Sequence, residues 1–233
     1  MYTYLLIDCL SLLVPLIASF HPKLQFNKQW KYLFPAIGIA GIVLIVWDVL
    51  FTKWGIWGFS DQYLIGVEIA QLPLEEWLFF VCIPYACVFT YEALNKLSNW
   101  NPNPKTTNII TIAIILVCLV LAVLNFDKAY TFTASLFTAV LLLLHLLVLK
   151  TNYLGKFYRV YAIILIPFLI VNGILTGTFL DGQVVWYNNA ENLSIRIFTI
   201  PVEDTIYNLY MLLSVITVYE GLKGKALVKP SDR

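Results

Sequence analysis

Pro73-Leu74-Glu75-Glu76-Trp77-Leu78-Phe79-Phe80 decides the reading, because its pattern returns as Pro201-Val202-Glu203-Asp204-Thr205-Ile206-Tyr207. Fourteen residues after each acidic pair the chain repeats itself again, as Tyr91-Glu92-Ala93-Leu94 and Tyr219-Glu220-Gly221-Leu222. Six positions match at one constant offset of 128 residues, which is the signature of an internal duplication. Residues 46–52 line up with 171–177 after a three-residue gap. Each half also carries a basic-aromatic loop, Lys28-Gln29-Trp30-Lys31-Tyr32 against Lys156-Phe157-Tyr158-Arg159.

The duplicated chain is hydrophobic throughout. Of its 233 residues 60% are hydrophobic and 12% charged, and the mean hydropathy is +0.79, which excludes an ordinary soluble domain. A net charge of +1 leaves no electrostatic footprint for nucleic acid. A bilayer core about 30 Å thick takes roughly 20 apolar residues per helix. Such windows fall at residues 4–20, 32–51, 72–97, 109–126, 130–149, 158–175 and 197–222. Asn101-Pro102-Asn103-Pro104 marks the clearest loop. The N-terminus lacks the basic leader of a signal peptide, so its apolar run is expected to remain as the first helix. Cys9, Cys82, Cys87 and Cys118 lie in apolar runs without metal-type spacing and read as small buried hydrophobes.

The expected fold is an all-α integral membrane protein of seven transmembrane helices. Residues 1–98 form a first three-helix repeat, 99–128 hold a connector helix, and 129–233 form the second repeat with a tail. Four crossings separate each helix from its counterpart, so the halves insert in parallel. Twelve of the 15 Lys and Arg residues fall on one side; by the positive-inside rule that side is cytoplasmic. The expectation is a multi-pass cell-membrane protein with its N-terminus outside, its C-terminus in the cytoplasm, and both acidic motifs near the outer face.

Glu75, Glu76, Glu203 and Asp204 are the candidate catalytic residues. Proline followed by acids also suits the first turn and the positive end of a helix dipole. The dipole contributes about 0.3–1 kcal/mol, whereas a dry site shifts a carboxyl equilibrium by up to about 3–5 pKa units. Intramembrane acids are rare and usually face an interior. Adjacent residues diverge by about 100° on a helix, so the two acids of a pair cannot fully share a face. Phe79, Phe80 and Tyr207 lie one turn further along. Asp48 and Asn172 are polar groups at matching depth, readable as site or as interhelical hydrogen bonds. Arg196 aligns with Glu68 and reads as an interfacial charge, with a site role as the other account. Trp54, Trp57, Trp186 and Tyr187 read as an aromatic belt or as a pocket wall. Glu92 and Glu220 beside Lys96 and Lys223 read as helix-end charge pairing, and His21 and His145 carry no role.

With these motifs, and with Asn172-Gly173-Ile174-Leu175-Thr176-Gly177 and Trp47-Asp48, the chain resembles the membrane lycopene cyclases of the heterodimeric bacterial type in their fused single-chain form, as in archaea and in the cyclase part of fungal bifunctional enzymes. The resemblance covers nearly the whole chain. It implies an intramolecular lyase or isomerase that forms β-ionone-type rings by redox-neutral, proton-initiated cyclisation of acyclic carotenoid end groups. It further implies catalysis by the four acids and substrate contacts from Asp48, Trp57, Phe79, Phe80, Asn172, Arg196 and Tyr207. No cofactor or metal is expected, and no strand-linked Gly-x-Gly-x-x-Gly fingerprint suggests a flavin enzyme. The expected partners are a lipid-dissolved carotenoid, membrane lipids and other carotenoid-pathway enzymes, with no nucleic acid. A small-solute transporter with a three-one-three layout is the rival. A retinal photoreceptor of the usual form is excluded, because residues 197–222 contain no lysine for a Schiff base.

Overall fold

The computed structural model describes residues 2–98, 100 and 102–227, with no side-chain placement for 225–227. Asn101 of the proline-rich loop and Lys229 and Arg233 of the tail lie outside the described residues. Among the described residues seven α-helices carry the fold: α1 (Thr3–Ala18), α2 (Trp30–Lys53), α3 (Leu74–Leu97), α4 (Pro104–Leu124), α5 (Ala129–Leu143, continued as a π-helical turn Leu144–Leu149), α6 (Leu154–Leu175) and α7 (Glu203–Leu227). Five, α2 to α6, are long and apolar enough to cross a membrane, while α1 is a shorter apolar helix of 16 residues. Their outer faces expose Ile42, Val43 and Val46 on α2 and Leu116, Val120 and Val123 on α4. A multi-pass membrane protein requires such lipid-facing surfaces.

Two expected boundaries move for local reasons. The fourth helix begins at Pro104, five residues before the expected window, because Asn103 Oδ1 accepts from the Lys105 N–H at 2.9 Å and proline suits the first helical position. The seventh begins at Glu203, not Ile197, since 196–201 is a hairpin. In it β5 (Arg196–Ile197) pairs antiparallel with β6 (Ile200–Pro201). An identical hairpin, β2 (Glu68–Ile69) with β3 (Leu72–Pro73), precedes α3 at the same offset of 128. Both proceed into a proline with no N–H to donate, which frees the strand to end and the helix to start.

A further strand pair joins the halves to each other. β1 (Trp57–Phe59) runs antiparallel to β4 (Val185–Tyr187), pairing Trp57 with Tyr187, Gly58 with Trp186 and Phe59 with Val185. Because β4 is β1 displaced by 128 residues, this register is symmetric about Gly58 and Trp186. The flanking hydrogen bonds obey the same symmetry: Ser60 N–H donates to Val184 O and Asn188 N–H to Ile56 O, both at 2.9 Å. Packing among the helices is crosswise. α1 lies on α3 and α5 on α7, while α2 packs on α7 and α6 on α3, each reaching the other half. The central α3 and α7 bring their acidic N-termini to the end of the bundle that holds the hairpins.

Cys82, Cys87 and Cys118 are buried as expected, but Cys9 is exposed on the outer face of α1. A thiol is apolar enough for that face. At the opposite end of the bundle Lys223 bridges to Glu92 at 2.5 Å and Glu220 at 3.7 Å. Lys96 donates instead to the Leu24 carbonyl at 3.0 Å. His145 is buried between Thr151 at 2.9 Å and Thr217 at 2.8 Å.

Candidate functional site

The two acids of each pair face different ways, and the same split occurs in both halves. Glu75 and Glu203 point back at their own loops. Glu75 Oε1 accepts from the Ile65 N–H at 2.7 Å, and Glu203 Oε1 accepts from the Leu193 N–H at 2.7 Å, the two donors being 128 residues apart. Thr131 Oγ1 adds a second donor to Glu203 Oε1 at 2.6 Å. These carboxyls fasten the hairpin-bearing loops to the helix ends. Adjacent loop positions Gly66 and Ser194, again 128 apart, both take left-handed backbone, with φ of 83° and 57°. Glycine is suited to that conformation; serine accepts it at some strain.

Glu76 and Asp204 turn inward to one shared cavity of about 260 Å³ between the halves. Asp204 is surrounded by donors. Oδ1 accepts from the Tyr130 hydroxyl at 2.5 Å, and Oδ2 accepts from Asn172 Nδ2 at 2.7 Å and the Tyr187 hydroxyl at 3.0 Å. Burial, together with the neighbouring Asp204 carboxyl, pushes the Tyr187 phenol well above its ordinary range, so it remains a donor. Glu76 has a different setting. It accepts from the Tyr4 hydroxyl and meets the Asp48 carboxyl side chain to side chain. Asp48 Oδ1 accepts from Trp57 Nε1 at 2.5 Å. A carboxyl facing a carboxyl can hydrogen-bond only if a proton lies between them, whereas a carboxylate facing three donors needs none.

Aromatic rings wall the acidic end. Trp57 lies 5.1 Å from Tyr130 and 6.2 Å from both Tyr187 and Tyr207, measured between ring centroids. Tyr207 stands among Asp48, Glu76 and Asp204. Tyr4 packs edge-on to Phe79 at 6.2 Å. Away from the acids the cavity is mostly apolar, passing Ile83, Ile164, Phe168 and Met211, with Ser11, Thr90 and Asn208 as polar exceptions. This gradient suits a hydrocarbon whose one end meets proton-transfer groups.

Of the candidates from sequence, the cavity gathers Asp48, Trp57, Glu76, Phe79, Asn172, Asp204 and Tyr207. Glu75 and Glu203 serve the loops, and Phe80 is buried in the helix core. Arg196 lies in its hairpin, donating to Asn189 Oδ1 at 2.5 Å and stacking over the Tyr187 ring at 5.5 Å. Trp54 and Trp186 are both exposed. Two hydroxyls were not anticipated as site members, Tyr4 and Tyr130, while Tyr187 takes the pocket-wall alternative. Tyr4 and Tyr130 stand at the starts of α1 and α5, where nothing in the sequence marks them.

A helical multi-pass membrane protein with paired carboxyls in an aromatic, largely apolar cavity defines the class. The chain belongs to the lycopene cyclase family: the model described as "Lycopene cyclase" matches residues 1–94 and 127–222. The interval between the two matched stretches, 95–126, contains α4. Among characterised relatives it is similar to the bifunctional lycopene cyclase/phytoene synthase of Leptosphaeria maculans, 32% identical over 83 residues. It is likewise similar to that of Pyrenophora tritici-repentis, 33% identical over 85 residues. Each match covers 36% of this chain and only 14% of the relative's length. No solved structure matches the chain.

Proposed function

We propose that the chain is a lycopene β-cyclase, an intramolecular lyase or isomerase that closes acyclic carotenoid end groups into β-ionone-type rings without net oxidation or reduction. The observation carrying this reading is the single cavity that joins Glu76 and Asp48 of one half to Asp204 of the other above an apolar channel. A carboxylic proton held at Glu76 and Asp48 adds to the terminal double bond and leaves a tertiary cation. The neighbouring alkene attacks that cation, forming the ring carbon–carbon bond and moving the positive charge into the ring. Asp204, already an acceptor from three donors, takes the ring proton as the double bond forms. One proton enters and one leaves, so substrate and product are isomers. The faces of Trp57, Tyr207 and Phe79 stabilise the passing cation, and separate settings for acid and base meet the requirement for general acid–base chemistry.

The same reading sets α1–α3 and α5–α7 as two parallel repeats of residues 1–98 and 129–233 about an axis along the membrane normal, with α4 within 99–128 as connector. All seven helices cross the membrane, the N-terminus and the acids lie toward the outer face, and the C-terminus is cytoplasmic. The substrate arrives dissolved in lipid. Against the transporter stands the distribution of polar groups, which gather at one end and leave mid-depth apolar.

Expression in a lycopene-accumulating bacterium, followed by pigment chromatography, tests the proposal. Cyclic carotenoid is the expected product. Unchanged acyclic pigment with abundant protein in the membrane defeats the reading.

A further inference from the structure

The duplicated scaffold has two equivalent seams, and only one is open. Along α3 the cavity runs from Glu76 to Thr90, about 21 Å at 1.5 Å per residue, beside α1 and α6. α1 and α6 barely touch. Pro167 of α6 both lines the cavity and is exposed on the outside of the bundle, so the space reaches the surface there. The equivalent seam lies between α5 and α2, and rings fill it. Trp47, almost fully buried, packs against Phe137 at 5.0 Å, Tyr207 at 5.1 Å and Tyr210 at 5.7 Å. Superposing Asp48 on Asn172 and Tyr4 on Tyr130, as their contacts with the two acids dictate, puts Trp47 over Val171 and Phe137 over Ser11. Both Val171 and Ser11 line the open cavity. Two large rings thus occupy positions where the other seam has an isopropyl and a hydroxymethyl group.

We propose that the seam between α1 and α6 is the doorway by which a linear hydrocarbon polyene enters from the lipid, and that Trp47 with Phe137 seals its counterpart. The inference rests on the cyclase reading. Its occupant follows from the lining, which below the acids is apolar except for a few small groups such as Ser11 and Thr90, and from a mouth facing hydrocarbon rather than water. A channel of about 21 Å is shorter than the bilayer core of about 30 Å, so a polyene as long as that core leaves its far end in the membrane. One doorway then admits one end group at a time. The second end is reached only after the molecule withdraws and turns, so a monocyclic intermediate leaves the site before the dicyclic product forms.

A size series on the cavity wall behind the doorway, at Ala86 of α3, and on the doorway's own α1 side, at Ser11, tests this: Ala86→Val, Ala86→Leu, Ala86→Phe and Ser11→Leu, with Val14→Phe as control, since Val14 is 69% exposed on the lipid face of α1. Cyclisation in lycopene-accumulating cells should fall with side-chain size, by about tenfold at phenylalanine, as overpacking closes the groove. Acyclic pigment co-purifying with Glu76→Gln should fall in parallel when Ala86→Phe is added. The smaller steps keep the test valid where phenylalanine prevents folding, judged by membrane abundance and elution as a single species. Conversion within about twofold of the parent at every size that folds overturns the doorway, as does an equal loss in Val14→Phe. A parent that makes no cyclic pigment defeats the cyclase reading instead, and pigment retention alone then decides the doorway.

Discussion

Replacing Asp204 by asparagine keeps the shape of the side chain and removes its ability to take a proton. The geometry fixes what should remain. The amide oxygen can still accept from Tyr130, now at 2.5 Å from Oδ1. The amide NH2 can donate to the Tyr187 oxygen, and to Asn172 once that side chain turns its carbonyl round. Bonds to a charged acceptor contribute about 1.5–3 kcal/mol and neutral ones about 1 kcal/mol, so the contact network weakens without collapsing. Loss of the buried charge offsets part of that cost. Stability should therefore drop by at most about 2 kcal/mol, while loss of a general base lowers the rate about 100- to 10,000-fold. Glu203→Gln is the matched comparison one residue away. Its Oε1 would still accept from the Leu193 N–H and from Thr131, now at 2.7 and 2.6 Å, and Oε2 has no partner to lose among the described residues. Its activity should stay within about tenfold of the parent, short of the roughly 100-fold at which a general-base effect begins. Cyclic pigment normalised to membrane-embedded protein, with thermal unfolding of the purified variants, reads both quantities. Equal activity of Asp204→Asn and Glu203→Gln refutes the division of labour, and a dead Glu203→Gln beside an active Asp204→Asn reverses it.

The first half should behave likewise, with Glu76→Gln losing cyclisation by about 100-fold or more and Glu75→Gln largely keeping it, by the same chromatography. Trp57→Phe retains a ring but withdraws the indole donor 2.5 Å from Asp48; a fall of about tenfold, with membrane abundance unchanged, is expected for one bond to a charged group. Gly155→Ala sets a methyl group against Pro102 and 2.5 Å from Thr107 Oγ1. It should destabilise by about 1–3 kcal/mol, seen as a lower unfolding temperature, with activity per folded molecule preserved. A cysteine at Gln183 should react with an impermeant thiol reagent in intact cells; labelling only after lysis would invert the orientation and place the acids at the cytoplasmic face.

The helices were legible because an apolar run has one solution in lipid, internal hydrogen bonding along its own length. The pairing of the two acidic motifs was legible because both kept one spacing. The hairpins were not, since two-residue strands carry no alternation, and the turn residues Ala70, Gln71 and Phe198 take positive φ without a glycine to announce it. That is why the seventh helix was expected to begin six residues before Glu203. That the two acids of a pair diverge follows from helix geometry alone. Which of them turns inward depends on what packs across the bundle, and so on Tyr130 and Asn172, distant in sequence. Tyr4 and Tyr130 were silent for a related reason: one tyrosine at the mouth of an apolar helix is indistinguishable from a membrane-interface anchor.

Crosswise packing governs how the chain can be made. α2 rests on α7 as well as on α3, and α6 on α3, so the first three helices pack on one another but leave the ribosome with the faces that meet α6 and α7 uncovered. Glu76 and Asp48 enter the membrane before Asp204, Tyr187 and the strand that pairs with Trp57–Phe59 have been synthesised. Until α7 arrives, the nascent half must shelter unmatched acids from lipid or hold them at the water interface. A translation arrest after α4 should thus give a protease-sensitive intermediate, one that a separately synthesised α5–α7 segment could complete through the symmetric β1–β4 join.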